Sequence, residues 1–127
     1  MEHNDERELL FVYGTLMQEA GSGWLAELGG KPKGKAETSP HWKLIIIGAV
    51  PAIIPGNKRI PGELWEIPKK AFILLDQYEG FYYQRRKISI IHKGKEENAW
   101  AWVWNGPLTG DEQEIPSFTQ FMKEKGC

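Results

Sequence analysis

Short runs of β-branched and aromatic residues, each cut off by glycine or proline, fill most of this chain and limit what it can become. "ELLFVYGTL" (8–16) reads as a buried strand over roughly 9–13 that runs into a loop. "KPKGKAETS" (31–39), "HWKLIIIG" (41–48) and "IPGELWEI" (60–67) read as further strands. "AVPAIIPG" (49–56) carries two prolines, so a strand there is short or lies at an edge. "RKISIIH" (86–92) and "NAWAWVWNG" (98–106) are two more, joined by the charged turn "KGKEE".

Helical signals are fewer. "GSGWLAELGG" (21–30) holds a short helix between glycines. Pro68 suits a first helical position, and Ala71, Leu74, Leu75 and Tyr78 follow at the spacing of one apolar face. Gly80 is a natural stop. In "IPSFTQFMKEKG", Ile115, Phe118, Phe121 and Met122 form the inward side of a short terminal helix. About six strands that cluster, rather than alternate regularly with helices, predict an α+β fold. A small mixed sheet or barrel would carry the helices on its outside. With 127 residues and no repeat or linker, residues 9–127 are expected to form one domain after a flexible tail over 1–8.

Charge and composition narrow the function classes. A formal net charge of −1 provides no field for nucleic acid or an anionic membrane. No apolar run approaches the ~20 residues that span a bilayer. "MEHNDERE" has neither the charge nor the apolar stretch of a leader peptide. The one cysteine, Cys127, cannot form an intrachain disulfide, which fits a cytoplasmic location.

Several motifs carry little chemistry. His3, His41 and His92 lack the spacing of a zinc site, and no serine stands in a G-x-S-x-G elbow. "GSGWLA" matches a dinucleotide fingerprint by letters, but the preceding strand ends several residues too early. Lys31, Lys33 and Lys35 at alternate positions read as solvated edge protection. Trp100, Trp102 and Trp104 share one face of a strand, which suits a core or cavity wall better than base stacking without a basic stripe.

Two stretches are sharper. In "VYGTL" (12–16), glycine after a buried strand permits either a plain strand-ending turn or an anion-binding concavity of backbone N–H groups. In "LLDQYEGFYYQRR" (74–86), Glu79 ends an amphipathic run, where the helix dipole disfavours a carboxylate by ~0.3–1 kcal/mol. Burial among Leu75, Tyr78, Phe81 and Tyr83 would raise its pKa further, whereas Arg85 or Arg86 nearby would lower it. Glu63 and Glu66 are the rival carboxylates.

Taken in order, "FVYGTL", "GAVPAIIPG", "IPGELWEI" and "LLDQYEGFYYQRR" resemble the gamma-glutamylcyclotransferase-like proteins. The likeness covers roughly residues 9–104 and is nearest to the gamma-glutamylamine cyclotransferase branch and its small bacterial relatives. It implies a compact mixed β-barrel with short helices and a cavity at one end. It also implies a reaction that cyclises a gamma-glutamyl group to 5-oxoproline and frees an amine, with neither metal nor organic cofactor. By the same likeness Glu79 is the catalytic glutamate, Tyr13, Gly14, Thr15 and Leu16 bind the gamma-glutamyl group, and Tyr83 and Arg85 support it. A non-catalytic small-ligand-binding barrel of the same fold is the alternative. The segment "MQEAGSGWLAELGG" lacks the basic stretch of the gamma-glutamylamine branch, so the leaving amine stays open, and the sequence does not fix the oligomeric state.

Overall fold

The computed structural model describes residues 6–125. Five strands close into a mixed barrel in the order β1 (Arg7–Val12), β5 (Pro61–Pro68), β2 (Lys31–Thr38), β6 (Tyr83–His92) and β7 (Lys95–Trp104). Neighbours are antiparallel except β1 and β7, which meet in parallel at Leu10 and Trp100. A separate three-stranded sheet has the order β4 (Val50–Pro55), β3 (Trp42–Ile47) and β8 (Gln113–Ile115). Short helices α1 (Trp24–Glu27), α2 (Phe72–Glu79) and α3 (Phe118–Glu124) complete the chain. This is the α+β barrel expected from the sequence, and no described helix is long and apolar enough to cross a membrane.

The continuous apolar character of "LLFVY" follows from burial on both faces of β1. Phe11 and Tyr13 join a cluster with Ala99, Ala101 and Val103 of β7 and with Leu44, Ile46 and Ile53 of the second sheet. Leu10 and Val12 point the other way, into a cluster with Leu25, Phe72, Leu75, Trp102 and Phe118. The strand is thus held between the second sheet and the helices.

The proline-marked stretch forms β4 at an edge of its sheet, as expected. The β6–β7 hairpin is longer than its apolar residues indicated. Its turn is Lys93–Gly94 alone, both at positive φ (54° and 79°), which is the two-residue geometry that matches strand twist. β8 was not apparent in the sequence: three residues pair with Leu44–Ile46, and Ile115 belongs to this strand instead of the terminal helix. Ser117 caps α3 by accepting from the Gln120 N–H at 3.0 Å, while Phe118 is buried and Phe121 and Met122 pack partly inward.

Two expectations need correction. Of the expected tail over 1–8, residues 1–5 lie outside the described residues, but Arg7 and Glu8 belong to β1. There Arg7 pairs with Pro68 and its guanidinium donates to the Glu66 carboxylate at 3.3 Å. The buried face of α2 is also rotated. A 3₁₀ turn at Lys69–Ala71 precedes the helix, Phe72 and Leu75 are buried, and Leu74 and Tyr78 are 50% and 53% exposed. Pro68 accordingly ends β5 and does not open the helix.

Candidate functional site

A cavity of about 260 Å³ opens between the end of β1, β4, the end of α2 and the start of β6. Tyr13, Gly14, Thr15, Leu16, Glu79 and Tyr83 all line it, whereas Arg85, which the resemblance gave a supporting role, does not. Phe11, Val12, Val50, Pro51, Tyr78 and Trp102 supply the rest of the wall. No lysine or arginine is among the lining residues.

The loop after β1 is a tight turn in which the Met17 N–H donates to the Gly14 carbonyl at 3.1 Å. Thr15 and Leu16 stand at its centre, and among the described residues their N–H groups find no intramolecular acceptor. Free N–H groups in such a turn form a ready anion-binding concavity. Gly14 is required sterically: a Cβ there would lie 2.6 Å from Pro51 Cγ. Thr15 Oγ1 is 3.1 Å from the Tyr78 hydroxyl, which links the turn to α2, and the Tyr78 ring rests edge-on against Trp24.

Glu79 is the last residue of α2, and the chain leaves the helix at Gly80 with φ 92°. Its carboxyl is pushed up to about 7 by burial first and by the neighbouring negative charge of Asp76 second. Among the described residues no hydrogen bond or ion pair engages the Glu79 carboxylate. Arg85 does not approach it as a counter-ion. Its guanidinium is forked onto Asp76, with Nε 3.0 Å from Oδ1 and Nη2 3.1 Å from Oδ2. Burial therefore prevails over the arginines in setting the state of Glu79.

The two tyrosines differ in what they offer. Tyr13 is buried, and its hydroxyl is committed, donating to the Trp102 carbonyl at 2.7 Å and accepting from the Ile53 N–H at 3.4 Å. Tyr83 is partly exposed and donates to the Pro51 carbonyl at 2.6 Å. Burial, aided by the Glu79 charge, pushes both phenols above their ordinary range, so both remain protonated donors.

The rival carboxylates are occupied elsewhere. Glu63 accepts from the N–H groups of Gln18 and Glu19 at 2.8 and 2.9 Å and from Trp65 Nε1 at 3.0 Å. Glu66 pairs with Arg7. His92 is buried against the Lys33 carbonyl, while His3 lies outside the described residues. The tryptophans do not make an exposed stacking patch: Trp102 is 3% exposed, and Nε1 of Trp100, Trp102 and Trp104 donates to Glu8, Asp76 and the Pro107 carbonyl. Asp76 falls inside the motif "LLDQYEG" but was given no role of its own; it stands one helical turn before Glu79.

Residues 10–120 match the family model described as gamma-glutamyl cyclotransferase, AIG2-like. A Methanocaldococcus jannaschii protein named "Putative gamma-glutamylcyclotransferase" is 31% identical over 102 residues, covering 76% of this chain and 84% of its own. The Escherichia coli K12 gamma-glutamylcyclotransferase family protein YtfP is 29% identical over 106 residues, covering 80% and 86%. Among solved structures, a mouse AIG2-like protein superposes with a TM-score of 0.77 at 20% identity over 88% of each chain. A uropathogenic E. coli-specific protein gives 0.79 at 23% identity over 93% of this chain and 97% of that one. Both superpositions show the shared fold.

Proposed function

The chain belongs to the gamma-glutamyl cyclotransferase, AIG2-like family, and from that premise we propose that it cyclises a gamma-glutamyl group to 5-oxoproline. The observation that carries the reading is a glutamate poised near neutral pH in the same cavity as a turn whose N–H groups, like the glutamate's carboxylate, have no partner among the described residues.

In this reading the substrate's α-amine attacks its own γ-carbonyl carbon. A new C–N bond closes the five-membered lactam, and the C–N bond to the leaving amine breaks. The attacking nitrogen gives up a proton to the Glu79 carboxylate, and the same proton passes to the leaving nitrogen. One carboxylate does both because its pKa of about 7 makes it neither too weak a base nor too weak an acid. No enzyme nucleophile is consumed. Confining amine and carbonyl at attack distance contributes ~7–11 kcal/mol in well-oriented intramolecular reactions.

With no cationic side chain in the wall, anionic parts of the substrate fall to the backbone. In this reading the Thr15 and Leu16 N–H groups hold the substrate carboxylate or the developing oxyanion, a role supported by the turn they centre and by the close approach of Gly14 to Pro51. Tyr13, Tyr83, Thr15 and the rest of the aromatic wall surround the glutamyl chain in this reading.

The test is turnover of gamma-glutamyl amines and gamma-glutamyl peptides, read as 5-oxoproline release. Release from at least one compound, lost in Glu79→Gln, is the expected result. Binding of such compounds without any release would leave a ligand-binding barrel in its place.

A further inference from the structure

Asp76 lies one helical turn before Glu79 and is the hub of a network spanning α2, β6 and β7. It receives the Arg85 guanidinium in a two-pronged fork and accepts from Trp102 Nε1 at 2.8 Å. Arg85 is held from its other faces too, with its guanidinium carbon 4.3 Å from the Phe72 ring centroid and 4.7 Å from that of Trp100. A planar guanidinium so clasped has little freedom to turn toward another carboxylate. Nothing in the proposed reaction uses either residue directly, and neither lines the cavity.

We propose that the Asp76–Arg85 fork is the positioning device of Glu79: it fastens the end of α2 to the barrel wall and keeps the guanidinium charge away from the cavity. The inference rests on the assignment of Glu79 as proton shuttle. Charge balance explains why both members are needed. Asp76 pushes the Glu79 carboxyl up, and the guanidinium forked onto Asp76 offsets part of that negative charge. The other polar groups lining the cavity beside Glu79 are Tyr78 on α2, and Tyr13 after β1 and Tyr83 on β6, whose phenols burial pushes up. Thr15, Val50, Pro51 and Trp102 bring no charge. Changing one member of the fork thus changes the local charge by one, with a sign that depends on which member is removed.

The experiment is a carbon-13 NMR titration of the Glu79 carboxyl in wild type, Asp76→Asn, Arg85→Gln and Arg85→Lys, alongside the pH profile of 5-oxoproline release. Asp76→Asn keeps an acceptor for Trp102 Nε1 but frees the arginine charge, and should lower the midpoint by roughly half to one pH unit. Arg85→Gln leaves Asp76 uncompensated and should raise it by a similar amount. Arg85→Lys restores the charge and should return the midpoint toward wild type; if Arg85→Gln fails to fold, the comparison of Asp76→Asn with wild type carries the test. A purely structural fork would lower melting temperature and turnover with no shift of midpoint, so coincident midpoints in wild type and Asp76→Asn overturn the proposal. Midpoints that separate as described in a protein without turnover would uphold the fork's effect on Glu79 and remove the reaction instead.

Discussion

Glu63 and Glu79 are both partly buried glutamates close to the loop after β1, yet their surroundings are opposite. Glu63 faces the start of the 3₁₀ turn Gln18–Ala20 and holds two backbone N–H groups and an indole N–H. Glu79 ends α2, where the carbonyls gather, and among the described residues finds no such donors. The first carboxylate is saturated and therefore structural. The second is left with its proton affinity unspent, and a reacting substrate can make use of that.

The contrast can be strained in four ways. The largest effect is expected from Gly14→Ala, which acts on the turn opposite Glu79 and leaves both glutamates intact. The new Cβ would meet the Pro51 ring at 2.6 Å, and displacing the turn by about an ångström should cost roughly 100-fold in kcat/KM for 5-oxoproline release.

Next comes stability. The folded protein holds the Glu79 proton up to about pH 7, whereas the unfolded chain loses it near the ordinary 4.5. The folded state thus binds the extra proton between these values, so stability falls as pH rises through this window. Glu79→Gln removes that loss and should be more stable than wild type by about 1–3 kcal/mol near pH 8, in urea unfolding, and equal to it near pH 4. Glu63→Ala should do the reverse, losing about 1–2 kcal/mol near pH 8 by uncapping Gln18 and Glu19. Equal signs for the two variants would dissolve the contrast. The smallest effect is expected from Tyr83→Phe, which gives up one bond to the Pro51 carbonyl and should cost about 0.5–1.5 kcal/mol in the same assay.

The strands were legible because glycine and proline mark their ends and because β1 and β7 carry apolar side chains on both faces. The cavity's main walls were legible too, since each lies on a short local motif, Tyr13–Leu16 and Glu79–Tyr83. What stayed hidden depends on long-range pairing. The face of α2 was misjudged because Tyr78 is drawn outward to Thr15 and Trp24, against the run of its apolar spacing. Asp76 reaches Trp102 across 26 residues, and no local pattern announces that bond. Likewise, Arg85 looked like a neighbour able to lower the Glu79 pKa, and only the fork onto Asp76 shows it is engaged elsewhere. β8 has three residues and owes its strand character to β3, not to its own sequence.

The most direct measurement is the rate of 5-oxoproline release from a gamma-glutamyl amine between about pH 5 and pH 9, for wild type and Glu79→Gln. The expected result is a wild-type kcat/KM that rises with pH as Glu79 loses its proton near 7 and becomes a base and as the substrate α-ammonium gives up its own, with release by Glu79→Gln at least about 100-fold lower throughout. Release by Glu79→Gln at the wild-type rate would contradict the role given to Glu79.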